Sequence, residues 1–201
     1  MSGDHAHDHS EIAHDRRVLY IVLALNFSLF LIELWQGLAA DSTSLIADSM
    51  DFLSDSFSYI ITLYVLTKPL HMRAKAALIK AALMLLLAAG ALGQGVHNII
   101  SGTTPEFSTM GWVGLLALAA NLTSAYLLYR TRNRDSNMRS VWLCSRNDAV
   151  SNIAIIAAAG LVFATGTLWP DIIVALIITW LEGSSAVKII AHAKEELKHG
   201  H

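Results

Sequence analysis

Six apolar stretches follow one another after Arg17, near 17–39, 44–67, 75–100, 110–130, 140–165 and 169–190. Each is about 20 residues or longer, the length a helix needs to cross ~30 Å of hydrocarbon. Inside a bilayer no water is available to satisfy backbone groups, so each run must bond within itself, which selects helices. The alternation expected of a membrane barrel is absent. Pro69, Pro105 and Pro170 fall at or between helix ends, where a missing N–H does no harm. The chain therefore reads as an all-α membrane protein, a six-transmembrane-helix bundle over residues 16–195. A flexible, histidine-rich tail (1–15) is expected before it and a short tail (196–201) after it.

Composition agrees with this reading. Of 201 residues, 54% are hydrophobic and 15% charged, where a soluble domain carries about 25% charged residues. A soluble enzyme and a disordered chain are excluded. The single cysteine, Cys144, rules out a disulfide scaffold. A net charge of −2 offers no basic footprint for nucleic acid.

Lysine and arginine set the orientation. Arg16 and Arg17 precede the first helix; Lys68, Arg73 and Lys75 lie in the second loop with Lys80 close behind. Arg130, Arg132, Arg134 and Arg139 fill the fourth loop, and Lys188, Lys194 and Lys198 close the chain. The loops near 40–43, 101–109 and 166–168 have none, so the positive-inside rule places both termini in the cytoplasm. Arg146 is the exception. The first apolar run is too long for a signal peptide and lacks its cleavage site. The pattern suits a bacterial inner membrane.

Helix 2 carries Asp48, Asp51 and Asp55. Three ionised aspartates there would cost roughly 8–10 kcal/mol by insertion scales. At 100° per residue the three lie within about 60° of one another, and Ser44 shares their stripe. Charges of one sign packed this closely call for a proton or a cation among them. Helix 5 holds the other dense polar group, CSRNDAVSN, in which Cys144 and Asp148 stand one turn apart on one face. Two such pairs on facing helices supply four ligands, enough for a tetrahedral cation. Thiolate among carboxylates favours Zn²⁺ and softer ions such as Cd²⁺ over magnesium.

ADSMDFLSD in helix 2 and CSRNDAVSN in helix 5, on a six-helix plan with Asn26 and Glu33 in the first helix, resemble the cation diffusion facilitator family over roughly residues 15–195. The resemblance implies export of a divalent transition metal from the cytoplasm, driven by inward proton movement. It implies a metal site of Asp51 and Asp55 from helix 2 with Cys144 and Asp148 from helix 5. Cys144 stands where the family usually has histidine. The chain stops at HAKEELKHGH, where the family commonly continues into a cytoplasmic ferredoxin-like C-terminal domain, so none is expected here. The expected assembly is a homodimer in the lipid bilayer, and the glycines of helix 3 (Gly90, Gly93, Gly95) are either its surface or ordinary packing.

The functional expectation is a Zn²⁺ or Cd²⁺ efflux transporter, with the metal as substrate and protons as counter-ion, and no cofactor. Asp48, Asn147 and Ser44 are candidates for supporting or proton-relaying roles behind the four ligands. His5, His7, His9 and His14 form a weak capture tail. Glu33 is alone in helix 1, and a pairing with Arg146 would satisfy both charges, though the sequence assigns neither a role. Asp51 and Asp55 lie about 12–17 Å from the outer end of helix 2, but Asp148 lies about 25 Å from that of helix 5, so helix 5 is expected to begin before Ser140. The alternative is a membrane metal-binding or sensing protein without transport. An intramembrane hydrolase is disfavoured because no HExxH occurs and no serine base is well placed.

Overall fold

The structure is a computed structural model that describes residues 3–65, 70–130 and 136–199. Six helices make it up: α1 (Gly3–Ala39), α2 (Thr43–Val65), α3 (Leu70–Ser101), α4 (Phe107–Tyr129), α5 (Ser136–Thr165) and α6 (Trp169–His199). No strand occurs among the described residues. The outer ends match the hydropathy reading to within a few residues. The backbone of α1 is helical from Gly3. The side chains of His5, His7, His9 and His14 lie outside the described residues.

Five helices, all but α2, are long and apolar enough to cross a membrane. What disqualifies α2 is its own sequence, TSLIADSMDFLSDSFSYIITLYV, whose aspartates and serines lower its hydropathy. The fold compensates by position. The helices close a ring in the order α1, α4, α5, α6, α3, α2, and α2 also packs against α4, α5 and α6. It thus touches every other helix, and most of its residues from Thr43 to Tyr59 are buried. Most of the exposed large apolar side chains sit on the five outer helices, Trp112 and Trp169 among them, while α2 exposes Ile60 and Tyr64 towards its end, as lipid-facing surfaces require.

Because α2 starts inside the bundle, its first N–H groups need partners within the protein. The turn before it, Ala40–Ser42, is sharp, with Asp41 at φ 52°, a conformation that aspartate tolerates better than most residues. Ser42 then caps the helix through its Oγ, which accepts from the Leu45 N–H at 3.3 Å. Asp171, in the first turn of α6, takes the next two. Its carboxylate accepts from the N–H groups of Thr43 (2.7 Å) and Ser44 (3.1 Å) and from the hydroxyls of Ser42 (2.7 Å) and Ser44 (2.5 Å). An acid at a helix N-terminus also complements the positive end of the dipole. From α3, Asn98 donates to the Asp41 carbonyl (2.6 Å) and the Thr43 hydroxyl (3.1 Å). Three helices are thereby pinned at the outer end of α2.

Beneath this lies the main apolar core, built from Leu45, Ile46, Ala91, Met110, Ile155, Ala158 and Ala175 among others. Gly37 permits the close crossing of α1 and α2, since a Cβ there would come within 2.9 Å of Ile46 Cγ1 and 3.1 Å of its backbone nitrogen. Towards the end that carries both termini, a second core joins Val18, Leu19, Val22, Tyr59 and Leu128. A smaller one, Ala81, Met84 and Ala186, unites α3 with α6. The helix 3 glycines divide: Gly95 packs against Thr43 (3.2 Å to Cγ2), while Gly90 and Gly93 face open space.

Asp171→Ala should orphan two N–H groups and two hydroxyls in a dry environment, at a cost of about 3 kcal/mol or more. Thermal unfolding in micelles followed by circular dichroism should show Asp171→Ala well below wild type and Asp171→Asn between them. Equal melting of all three would remove Asp171 as the anchor of α2.

Candidate metal site

A cavity of about 640 Å³ opens between α2, α3, α5 and α6 below the main core. Its wall contains Asp51 and Asp55 from α2, Cys144 and Asp148 from α5, Lys80 from α3 and Glu182 from α6. Along α6 it runs from Ile178 to Ile189, about 16 Å at 1.5 Å per residue. Apolar packing closes the outer side, whereas the exposed Cys144, Asn147 and Lys188 line the part nearer the termini. A second cavity, of about 380 Å³ between α4 and α5, is lined by Phe107, Trp112, Leu115 and Phe163 and carries no titratable group.

All four side chains predicted as ligands share the larger cavity. The depth gap between helices 2 and 5 closes because the two are offset. Asp48 of α2 accepts from Asn152 Nδ2 of α5 at 2.5 Å, which sets α2 about 12 Å deeper than the outer end of α5. α5 also begins at Ser136, before Ser140 as expected. Among the described residues no three Asp, Glu, Cys or His side chains converge as a ready coordination sphere. The carboxyl groups instead meet in pairs within hydrogen-bonding reach: Asp55 with Asp148, and Asp51 with Glu182. Two carboxylates accept but cannot donate, so each pair needs a proton or a cation between its members.

Asp55 has a further support that the sequence reading missed. The fully buried Tyr59, one turn along α2, donates its hydroxyl to Asp55 Oδ2 at 3.3 Å and lies 3.1 Å from the Ser145 hydroxyl of α5. The i, i+4 spacing of Asp55 and Tyr59 was the available signal. Lys80, read from sequence as a loop-side positive charge, extends into the same cavity and donates to Ser58. Glu182 was also passed over, although it is the one charged residue between Asp171 and Lys188.

The supporting candidates separate. Asn147 lines the cavity, exposed, and accepts from Arg146 at 3.3 Å. Ser44 does not line it, because its hydroxyl is committed to Asp171 at the helix N-terminus. Asp48 is fully buried away from the cavity wall. Its carboxyl faces Glu33 of α1, and the Asn152 that donates to it accepts in turn from Asn121 of α4 at 3.0 Å. Glu33 therefore faces another acid, with both its carboxylate oxygens buried and without a hydrogen-bond donor among the described residues, and a Glu33–Arg146 pair does not form. Arg146 is exposed, its guanidinium 5.4 Å from the Trp142 ring centre, where it gains a cation–π contact.

The sequence profile of the cation efflux transmembrane domain matches residues 19–197, nearly the whole bundle. The chain belongs to the cation efflux family. No curated protein matches it. As a cation efflux domain with five helices apolar enough to cross a bilayer, it is an integral membrane transporter of metal cations, and the family is one of transporters and not of enzymes.

In this cation efflux domain Cys144 offers a direct probe, being both exposed and on the cavity wall. A charged maleimide should alkylate it, and Zn²⁺ or Cd²⁺ should slow the reaction by about tenfold, since a metal-bound thiolate is withheld from the reagent. Asp55→Asn should abolish the protection. Labelling indifferent to metal would separate the thiol from the ion.

Proposed function

We propose that the chain exports Zn²⁺ or Cd²⁺ from the cytoplasm in exchange for protons, by alternating access around Asp51, Asp55, Cys144 and Asp148. The observation that carries this reading is the single cavity containing all four side chains. Its donor set supports the choice of metal, because a thiolate favours Zn²⁺ and softer ions where carboxylates alone would suit magnesium or manganese. The rows of lysine and arginine at the terminus-bearing end support a bacterial inner membrane with that end in the cytoplasm.

Metal and protons compete for the same groups. Cysteine and carboxyl groups bind metal in their deprotonated forms, so binding releases protons and affinity rises with pH. With the cavity exposed to the cytoplasm, the groups take up metal; exposed to the more acidic outer side, they take up protons and release it. The protons return inward with the carrier. Lys80 adds a tethered positive charge to this competition, because its amine shares the cavity with the acids. Tyr59 holds Asp55 while its neighbours exchange partners.

Proteoliposomes with an internal pH dye test the exchange. Zn²⁺ and Cd²⁺ should each drive proton movement that stops when the pH gradient is collapsed. Asp55→Ala should lower it more than about tenfold, and Cys144→Ser should reduce Cd²⁺ flux more than Zn²⁺ flux. Metal flux unaffected by the proton gradient would reject exchange, and full activity in Asp55→Ala would reject the site.

A further inference from the structure

Glu182 has no account in a site made by α2 and α5 alone. It is 7% exposed and lines the cavity. It occupies the middle of an otherwise apolar stretch of α6, where an ionised carboxylate is costly unless it finds a partner. Its hydrogen-bonding neighbour is Asp51, another acid. Lys80 shares the cavity, but its amine donates to Ser58 of α2. A buried acid aimed at an acid places its free lone pairs where a cation would sit. The four proposed donors come from α2 and α5, and Glu182 adds a carboxylate from a third helix, α6, on the same cavity wall.

We propose that Glu182 is a fifth metal ligand and that it tilts the site towards Cd²⁺ over Zn²⁺. The proposal rests on the α2–α5 metal reading and extends it. Zn²⁺ closes its shell with four ligands, which Asp51, Asp55, Cys144 and Asp148 already supply. A larger divalent cation keeps room for a further oxygen beside the thiolate, and that oxygen is Glu182's. The ligand has a mechanical consequence as well. α3 and α6 pack closely on one another along the far wall of the cavity, so an ion held by Glu182 as well as by α2 and α5 draws the two walls together.

Calorimetric titration of purified protein with Cd²⁺ and with Zn²⁺, alongside X-ray absorption at the cadmium edge, tests this. In wild type the cadmium shell should contain five or more donors with one sulfur. Glu182→Gln should remove one oxygen and weaken Cd²⁺ by about tenfold while changing Zn²⁺ by less than about threefold; Glu182→Asp should recover part of the loss. A four-donor cadmium shell in wild type overturns the proposal without any variant, even if Glu182→Gln does not fold. So does a Glu182→Gln protein that binds both metals as wild type does, or that loses both equally. Asp55→Asn reports separately on the underlying site. If it binds both metals normally, the α2–α5 reading fails, whatever Glu182 does.

Discussion

A carboxylate taken out of water must find a proton, a cation or a set of donors. Every unusual feature of this bundle follows from how that demand is met. Six acids are withdrawn among the helices: Glu33, Asp48, Asp55, Asp171 and Glu182 are buried and Asp51 is partly so. Asp148, half-buried, joins them on the cavity wall. Asp171 is satisfied by four donors from the start of α2 and acts as a structural pin. The others meet acid to acid. That difference separates Asp171, which holds the fold, from the acids on the cavity wall, Asp51, Asp55, Asp148 and Glu182, to which the proposed metal site belongs.

The position of α2 is the means. The stretch of α2 rich in aspartate and serine cannot face lipid, and the other five helices shield it as far as Tyr59. Shielding brings its N-terminus inside the protein, which is why Ser42 and Asp171 must cap it. The Asp48–Asn152 bond then fixes its depth against α5 and brings Asp55 to Asp148. On one side of α2 the polar ladder Glu33–Asp48–Asn152–Asn121 crosses four helices without touching the cavity wall. On the other side are the cavity and the acids that line it, Asp51, Asp55, Asp148 and Glu182.

Much of this was legible in the sequence. Apolar run lengths gave six helices with good outer ends, because hydrocarbon thickness constrains length strongly. Helical periodicity put Asp51, Asp55, Cys144 and Asp148 on faces that meet. Periodicity reports a face but not a depth, however: Ser44 shares the aspartate stripe yet lies about two turns before Asp51 and three before Asp55, where its hydroxyl is bound to Asp171 at the helix N-terminus. Glu33 was matched to Arg146 on charge alone, but Arg146 is exposed and lies over the Trp142 ring, and Glu33 is buried facing another acid. Glu182 and Lys80 were missed because each is a single charge without a partner on its own helix. Only the packing of α3 and α6 against α2 brings them to the site.

The most direct measurement is the location of the ion itself, by anomalous diffraction from crystals grown with Cd²⁺ or by density in a metal-loaded cryo-electron microscopy map. The account predicts one ion within the cavity, bonded to the Cys144 sulfur and to the carboxylates of α2 and α5. An ion bound instead between Glu33 and Asp48, or an unoccupied cavity at saturating metal, would contradict it.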